Sequence, residues 1–287
     1  MSIVTSADGT PIAFERTGGG PPVVIVGGAL RHRSCDPLAE RLSALLAPSL
    51  TVVRYDRRGR GASGDTAPYA VAREVEDIEA LVAEAGGVAS LCGLSSGAVL
   101  ALEAARHLPG VTGLTLVEPP FVVDGSRPPL PGDYLPRLAE LLAAGRRGDA
   151  VEFYLRRAAG ASAECVALSR RLPQWSAFEA AAHTLVYDGA VMGATMSGLP
   201  LPARRWAGVT APALVACRAY GPAFLRGAAR ALVEILPSAR LCLLDGPDPG
   251  AADGRHDGAD VRAAALAPVL ARFLTAAAGG SRARARV

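Results

Sequence analysis

Val88-Ala89-Ser90-Leu91-Cys92-Gly93-Leu94-Ser95-Ser96-Gly97-Ala98-Val99 reads as a strand, a tight turn and the start of a helix. Within it, Gly93-Leu94-Ser95-Ser96-Gly97 fits the pattern G-x-S-x-G. In that setting Ser95 must occupy a strained turn that lifts its hydroxyl above the sheet, and small residues two before and two after leave room for the turn. The helix that follows aims its free N–H groups and the positive end of its dipole at the reacting centre. Alone the pattern is weak, because glycine and serine are common in this chain. Between a strand and a helix it is much stronger, with an ordinary glycine-rich turn as the competing reading.

Outward from the turn, strands and helices alternate. Upstream, Pro22 precedes the run Val23-Val24-Ile25-Val26, a β-branched strand buried on both faces. Residues 36–47 carry apolar positions at helical spacing, 51–56 form a strand, and the glycine- and arginine-rich 57–64 must be a loop. In residues 70–85, Val71, Val75, Ile78, Leu81 and Val82 recur at three- and four-residue steps, with Arg73, Glu74, Glu76 and Asp77 between them. Downstream come a helix over 96–108 and a strand over 111–117. The N-terminus offers two short strands around the turn Asp8-Gly9-Thr10-Pro11. Such alternation predicts a parallel sheet with helices on both faces.

After Glu118 the pattern changes. Residues 119–205 hold no convincing strand; they open on Pro119-Pro120, pass a second proline-rich stretch and run through helical segments at 133–144, 149–159, 163–172 and 176–187. Strand, helix, strand, loop and helix then resume from 213 to 277. The division expected is a core of 1–118 and 206–287 with a helical insertion at 119–205, ending in a frayed basic tail.

The chain has 287 residues, enough for one large domain with an insertion. Its net charge of +3 comes from scattered arginines, there being no lysine, and gives no nucleic-acid footprint. Aromatic residues, 5% of the chain, do not interleave with the arginines of 57–60, which further disfavours such a partner. The five cysteines are odd in number and lack C-x-x-C spacing, which argues against a disulfide framework and a cysteine-built metal site. No uninterrupted apolar run reaches the ~18 residues of a membrane span. The first residues lack a basic start followed by an apolar block, so the expected location is the cytoplasm, without membrane attachment. Neither a nucleotide-binding glycine loop nor a metal-ligand cluster is present, so no cofactor and no metal are expected.

Four segments together resemble the α/β-hydrolase superfamily, in particular small bacterial members with a helical cap. They are 23–30, the Tyr55-Asp56-Arg57-Arg58-Gly59-Arg60-Gly61-Ala62-Ser63 loop, the serine turn and the insertion after the sixth strand. The resemblance implies a mostly parallel eight-stranded sheet flanked by helices, with residues 119–205 as a lid that forms much of the substrate pocket. It also implies an order of nucleophile, acid and base along the chain. Of the four histidines, His32 precedes the serine and His107 lies at the far end of the helix after it. His183 falls in the cap, and His256 in the loop after the last strand, where the family carries its base. His256 is therefore the expected base.

The acid departs from the common pattern. The stretch after the seventh strand, Arg218-Ala219-Tyr220-Gly221-Pro222, holds no carboxylate. Some relatives place the acid after the sixth strand, where this chain reads Val117-Glu118-Pro119-Pro120. Glu118 is favoured over a purely structural glutamate paired with an arginine, and over Asp245, Asp248 and Asp257, which crowd the histidine's own loop. For the oxyanion, the resemblance points to the backbone N–H groups of Ser96 and, with Gly27-Gly28 where many relatives have His-Gly, of Ala29. Arg31, His32 and Arg33 follow and could meet a substrate anion or water. Leu30, Phe121, Tyr154, His183 and Tyr187 are the expected pocket residues.

The function expected is hydrolysis of an ester, thioester, lactone or amide of a small, largely apolar molecule through an acyl-Ser95 intermediate. Acyl transfer, or cyclisation or rearrangement in secondary metabolism, on the same site is the alternative. A non-catalytic small-molecule binder comes third. The partner is a small-molecule substrate, and a homodimer stays open.

Overall fold

The structure is a computed structural model that describes residues 1–245 and 257–284. Its first half contains β1 (Ser2–Thr5), β2 (Pro11–Thr17), β3 (Pro22–Val26), α1 (Pro37–Leu46), β4 (Thr51–Tyr55), α2 (Val71–Glu84), β5 (Ala89–Leu94), α3 (Ser96–His107) and β6 (Val111–Val117). Helices alone follow: α4 (Tyr134–Ala143), α5 (Arg147–Arg157), α6 (Ala163–Ser169), α7 (Trp175–Ala181), α8 (Leu185–Met192) and α9 (Ala203–Trp206), with short 3₁₀ turns at Ala182–Thr184 and Gly193–Met196. The alternation returns with β7 (Ala213–Arg218), α10 (Ala223–Ile235), β8 (Ala239–Leu244) and α11 (Asp257–Arg284).

The strands form one eight-stranded sheet in the order β1-β2-β4-β3-β5-β6-β7-β8. β1 and β2 pair antiparallel, as does β2 with β4, and from β4 onward every pairing is parallel. In β3, Val24 and Val26 enter the core on one face while Val23 and Ile25 enter that on the other. A period of two with no polar member is what burial on both faces requires. α2, α3 and α10 cover the first face, and α1 and α11 the second. Cys92 and Cys217 are fully buried strand residues that pack as small hydrophobes.

Local signals explain the helix starts. Asp36 accepts a hydrogen bond from the Ala39 N–H at 3.1 Å, with Pro37 in the first turn of α1. The segment expected as one helix over 176–187 breaks at the 3₁₀ turn, where the Thr184 hydroxyl donates to the Ala181 carbonyl and accepts from Arg60 Nε. On α2, Glu74 and Asp77 sit among the charged residues of the sequence pattern, yet both are fully buried. Their partners are the arginines of the loop after β4.

In α11, Gly258–Gly280 is long and apolar enough by composition to cross a membrane, although no uninterrupted apolar run suggested it. Its Ala263, Leu266, Ala267, Leu270 and Leu274 are instead buried in the core that α1 shares. A third cluster joins the helical insertion to the core: Tyr134, Leu138, Val151, Trp175 and Phe178 pack with Ala29 and Leu30 from the loop after β3.

Candidate active site

Ser95 lies between the last residue of β5 and the first of α3 with φ 54° and ψ −124°, in the positive half of φ space that L residues rarely enter. Two glycines make that bend possible. A Cβ on Gly93 would meet the Gly97 carbonyl at 2.5 Å, and one on Gly97 would meet the Gly27 carbonyl at 2.6 Å. The Ser95 N–H donates to the Val117 carbonyl at 2.9 Å, which ties the bend to β6. Leu94 and Ser96 are buried, whereas Ser95 is exposed. Its hydroxyl opens on a cavity of about 770 Å³ at the carboxyl ends of the parallel strands, where open α/β sheets bind ligands.

The loop after β3 forms a second side of this cavity through Gly28, Ala29 and Leu30. Gly28 faces the serine closely: a Cβ there would lie 3.2 Å from Ser95 Cβ and 3.1 Å from the Leu94 carbonyl. Leu30 takes φ 63°, and the Arg31 N–H closes the turn on the Gly28 carbonyl at 3.2 Å. Among the described residues the N–H groups of Ala29 and Ser96 donate to no protein acceptor, and both residues line the cavity.

Two arginines hold that loop from behind. Arg60 Nη1 donates to the Gly28 carbonyl at 2.7 Å and Arg57 Nη1 to the Gly27 carbonyl at 3.3 Å. Both guanidiniums are buried, so both need counter-charges. Glu74 takes Arg57 on both carboxylate oxygens at 2.7 Å. Asp188 of α8 reaches from the insertion to accept from Arg57 Nη1 at 2.8 Å, Arg60 Nη2 at 2.5 Å and Ser96 Oγ at 2.8 Å. Burial works to raise the Asp188 carboxyl, but Arg60 and Arg57 prevail and hold it below the usual carboxylate range. Burial likewise opposes the charge on Arg57, and the facing Glu74 and Asp188 overcome it and keep the guanidinium protonated.

Glu118 follows β6 with φ 49°, is 8% exposed and lines the cavity. Its N–H donates to the Ala216 carbonyl at 2.8 Å. Arg218, the last residue of β7, donates through Nε to Glu118 Oε1 at 2.7 Å. Arg262 of α11 donates through Nη2 to Oε2 at 2.8 Å. Among the described residues each carboxylate oxygen accepts one side-chain hydrogen bond, fewer than its two lone pairs can take. His256 and Asp248 lie outside the described residues, and Asp245 is exposed at the end of β8.

Of the expected pocket residues, Leu30 and Tyr154 line the cavity, together with Tyr134, Phe178, Met192 and Phe224. Phe121, His183 and Tyr187 lie off its lining. Phe121 is fully buried and stacks on Trp206, with ring centroids 5.6 Å apart, because the chain turns inward after Pro120. On α8 the cavity-facing positions are Leu185, Asp188, Gly189 and Met192, the stripe of one helix face, and Tyr187 falls outside it. Tyr187 stacks on Tyr69 at 3.8 Å and donates to Asp65 Oδ2 at 2.9 Å, with His183 Nε2 at 3.4 Å from the same oxygen. These residues fasten the insertion to the core.

Asp188 was not legible as a site residue, and neither were the partners of Arg57 and Arg60. One signal for Asp188 existed, an acid amid the otherwise apolar Leu185-Val186 and Val191-Met192 positions of one helix. Of the three basic residues that follow Leu30, only Arg31 lines the cavity.

The sequence matches the model of the Alpha/beta hydrolase family over residues 23–253. Among solved structures it is similar to an alpha/beta hydrolase from Sphaerobacter thermophilus, at 48% identity over 95% of this chain and 99% of that one, with a TM-score of 0.83. An enol-lactonase from Burkholderia xenovorans is 23% identical over 96% and 100% of the two chains, with a TM-score of 0.66. A thermophilic esterase from Thermogutta terrifontis is 21% identical over 96% and 99%, with a TM-score of 0.69. The latter two likenesses are of fold. No curated protein matches the chain.

Proposed function

The chain belongs to the Alpha/beta hydrolase family, and on that premise we propose that it is a serine hydrolase that cleaves an ester, thioester, lactone or amide of a small molecule through an acyl-Ser95 intermediate. The observation that carries this reading is the exposed Ser95 hydroxyl at a strained bend, between two buried neighbours, on the wall of a large cavity. His256 takes the serine proton as the hydroxyl attacks the carbonyl carbon, returns it to the leaving group, and then activates the water that releases the acid. In support, the first turns of α11, which follow His256 in sequence, line the same cavity through Ala259 and Arg262.

Glu118 orients the imidazole and stabilises its cation. It is the buried carboxylate after β6, and the clamp of Arg218 and Arg262 fixes its plane. Ala29 and Ser96 supply the N–H donors for the oxyanion, each worth about 2.7–4 kcal/mol of barrier when preorganised. The insertion closes the cavity as a lid with apolar walls. Five thiols without a disulfide suit a reducing, cytoplasmic setting.

A fluorophosphonate probe tests the proposal. The wild-type protein labels and turns over 4-nitrophenyl esters, while Ser95→Ala and His256→Ala do neither. Labelling that survives in Ser95→Ala would remove the serine from its role. Rapid labelling without ester turnover in water would instead indicate acyl transfer.

A further inference from the structure

Two guanidiniums line the cavity among the described residues, and they are tied differently. Arg262 donates to Glu118. Arg31 donates through Nη1 to the Cys35 carbonyl at 2.9 Å and lies over the Phe178 ring, 5.1 Å from its centroid. Among the described residues no carboxylate stands within ion-pairing distance of Arg31. Asp36, also in the lining, caps α1 through the Ala39 N–H.

The neighbours of Arg31 are committed elsewhere. Arg33 binds Asp56 through its backbone N–H at 2.7 Å and through Nη2 at 3.0 Å. His32 Nδ1 lies 3.1 Å from the Ser34 hydroxyl. Arg31 therefore brings a half-buried positive charge into a mostly apolar chamber. A carbonyl and an aromatic face fix its position, while among the described residues most of its five N–H donors meet no acceptor. A fixed planar fork of that kind matches a carboxylate. It also follows the Gly28-Ala29 loop that faces Ser95, so one small molecule can reach both groups within about 770 Å³.

We propose that Arg31 recognises a carboxylate on the substrate, so that the natural substrate is an acidic ester or lactone rather than a neutral one. The hydrolytic part of this inference rests on the reading of Ser95 above; the anion site does not. The test compares acidic esters with neutral twins whose carboxylate is capped as a methyl ester. Mono-4-nitrophenyl esters of glutarate, adipate and pimelate carry the acid on the acyl side, and hexanoyl 3-hydroxybenzoate carries it on the leaving group.

In wild type, kcat/KM for at least one acidic member exceeds that of its neutral twin by about 10-fold or more, the scale of a charge-assisted contact. Arg31→Met collapses that ratio about 10-fold or more, and Arg31→Lys restores part of it. A ratio taken within one preparation cancels any loss of folded enzyme. Equal ratios in wild type and Arg31→Met for every pair would overturn the proposal. A second arm measures adipate binding calorimetrically to the Ser95→Ala protein, with and without Arg31→Met. Binding weakened about 10-fold by Arg31→Met upholds the anion site even where the serine fails to label, in which case only the hydrolase reading falls. Binding that ignores Arg31, or no binding, counts against the site itself.

Discussion

Asp188→Asn tests the buried charge network most directly. The aspartate accepts three side-chain hydrogen bonds, from Arg57, Arg60 and Ser96, and is 4% exposed. Asparagine has the same shape but replaces one acceptor oxygen with an NH₂ donor. Whichever way the amide turns, that donor faces a guanidinium: Arg60 in one orientation, Arg57 in the other. Charge-assisted bonds at about 1.5–3 kcal/mol each would sum to about 4.5–9 kcal/mol, an upper bound because the three share one group. Breaking a buried pair on one side costs about 3–5 kcal/mol, since the remaining charge stays buried and under-compensated. Glu74 still neutralises Arg57 through two bonds, which leaves Arg60 as the main loser and favours the lower end of that range. A loss of about 3 kcal/mol lowers Tm by roughly 6–12 °C in a chain of this size. Thermal unfolding followed by circular dichroism reads the shift, and urea titration reads the free energy. A change in Tm under about 2 °C would refute the claim that this carboxylate holds the arginines in place.

Glu118→Gln should lower kcat by about 10²–10⁴-fold, as loss of an orienting acid does in comparable triads; near-normal turnover would move the acid to Asp245, Asp248 or Asp257. Gly28→Ala places a methyl group against Ser95 Cβ and the Leu94 carbonyl, so fluorophosphonate labelling should slow by about 10-fold or more; an unchanged labelling rate would mean that the loop yields freely. Asp188 and Glu74 are both held below the ordinary carboxylate range by their arginines. Their stabilisation is therefore complete above the unfolded-state value, about 4, and is lost as pH falls through it toward the folded-state values. Urea midpoints measured from pH 7 to pH 2.5 should stay flat at first and drop below about pH 4, less steeply in Asp188→Asn than in wild type. A parallel drop in the two proteins would exclude Asp188 from the acid response.

The sequence by itself determined what is local. The strand–turn–helix around Ser95, the β-branched run of β3, the apolar face of α2 and the strand-free stretch after Glu118 are all encoded within a dozen or so neighbouring residues, because burial and period act at that range. The position of Glu118 at the end of its strand was legible for the same reason. Tertiary structure alone decided which charges meet. Arg57 finds Asp188 from 131 residues away, Arg218 finds Glu118 from 100 and Arg262 finds it from 144. The sequence marks the arginine-rich stretch only as a loop, and in the fold Arg57, Arg58 and Arg60 are buried because Glu74, Asp77 and Asp188 come to meet them. A charge pattern along the chain carries no information about such pairs: the free energy that buries an ion depends on its partner in space, and only the folded sheet and its helical insertion bring the partners together.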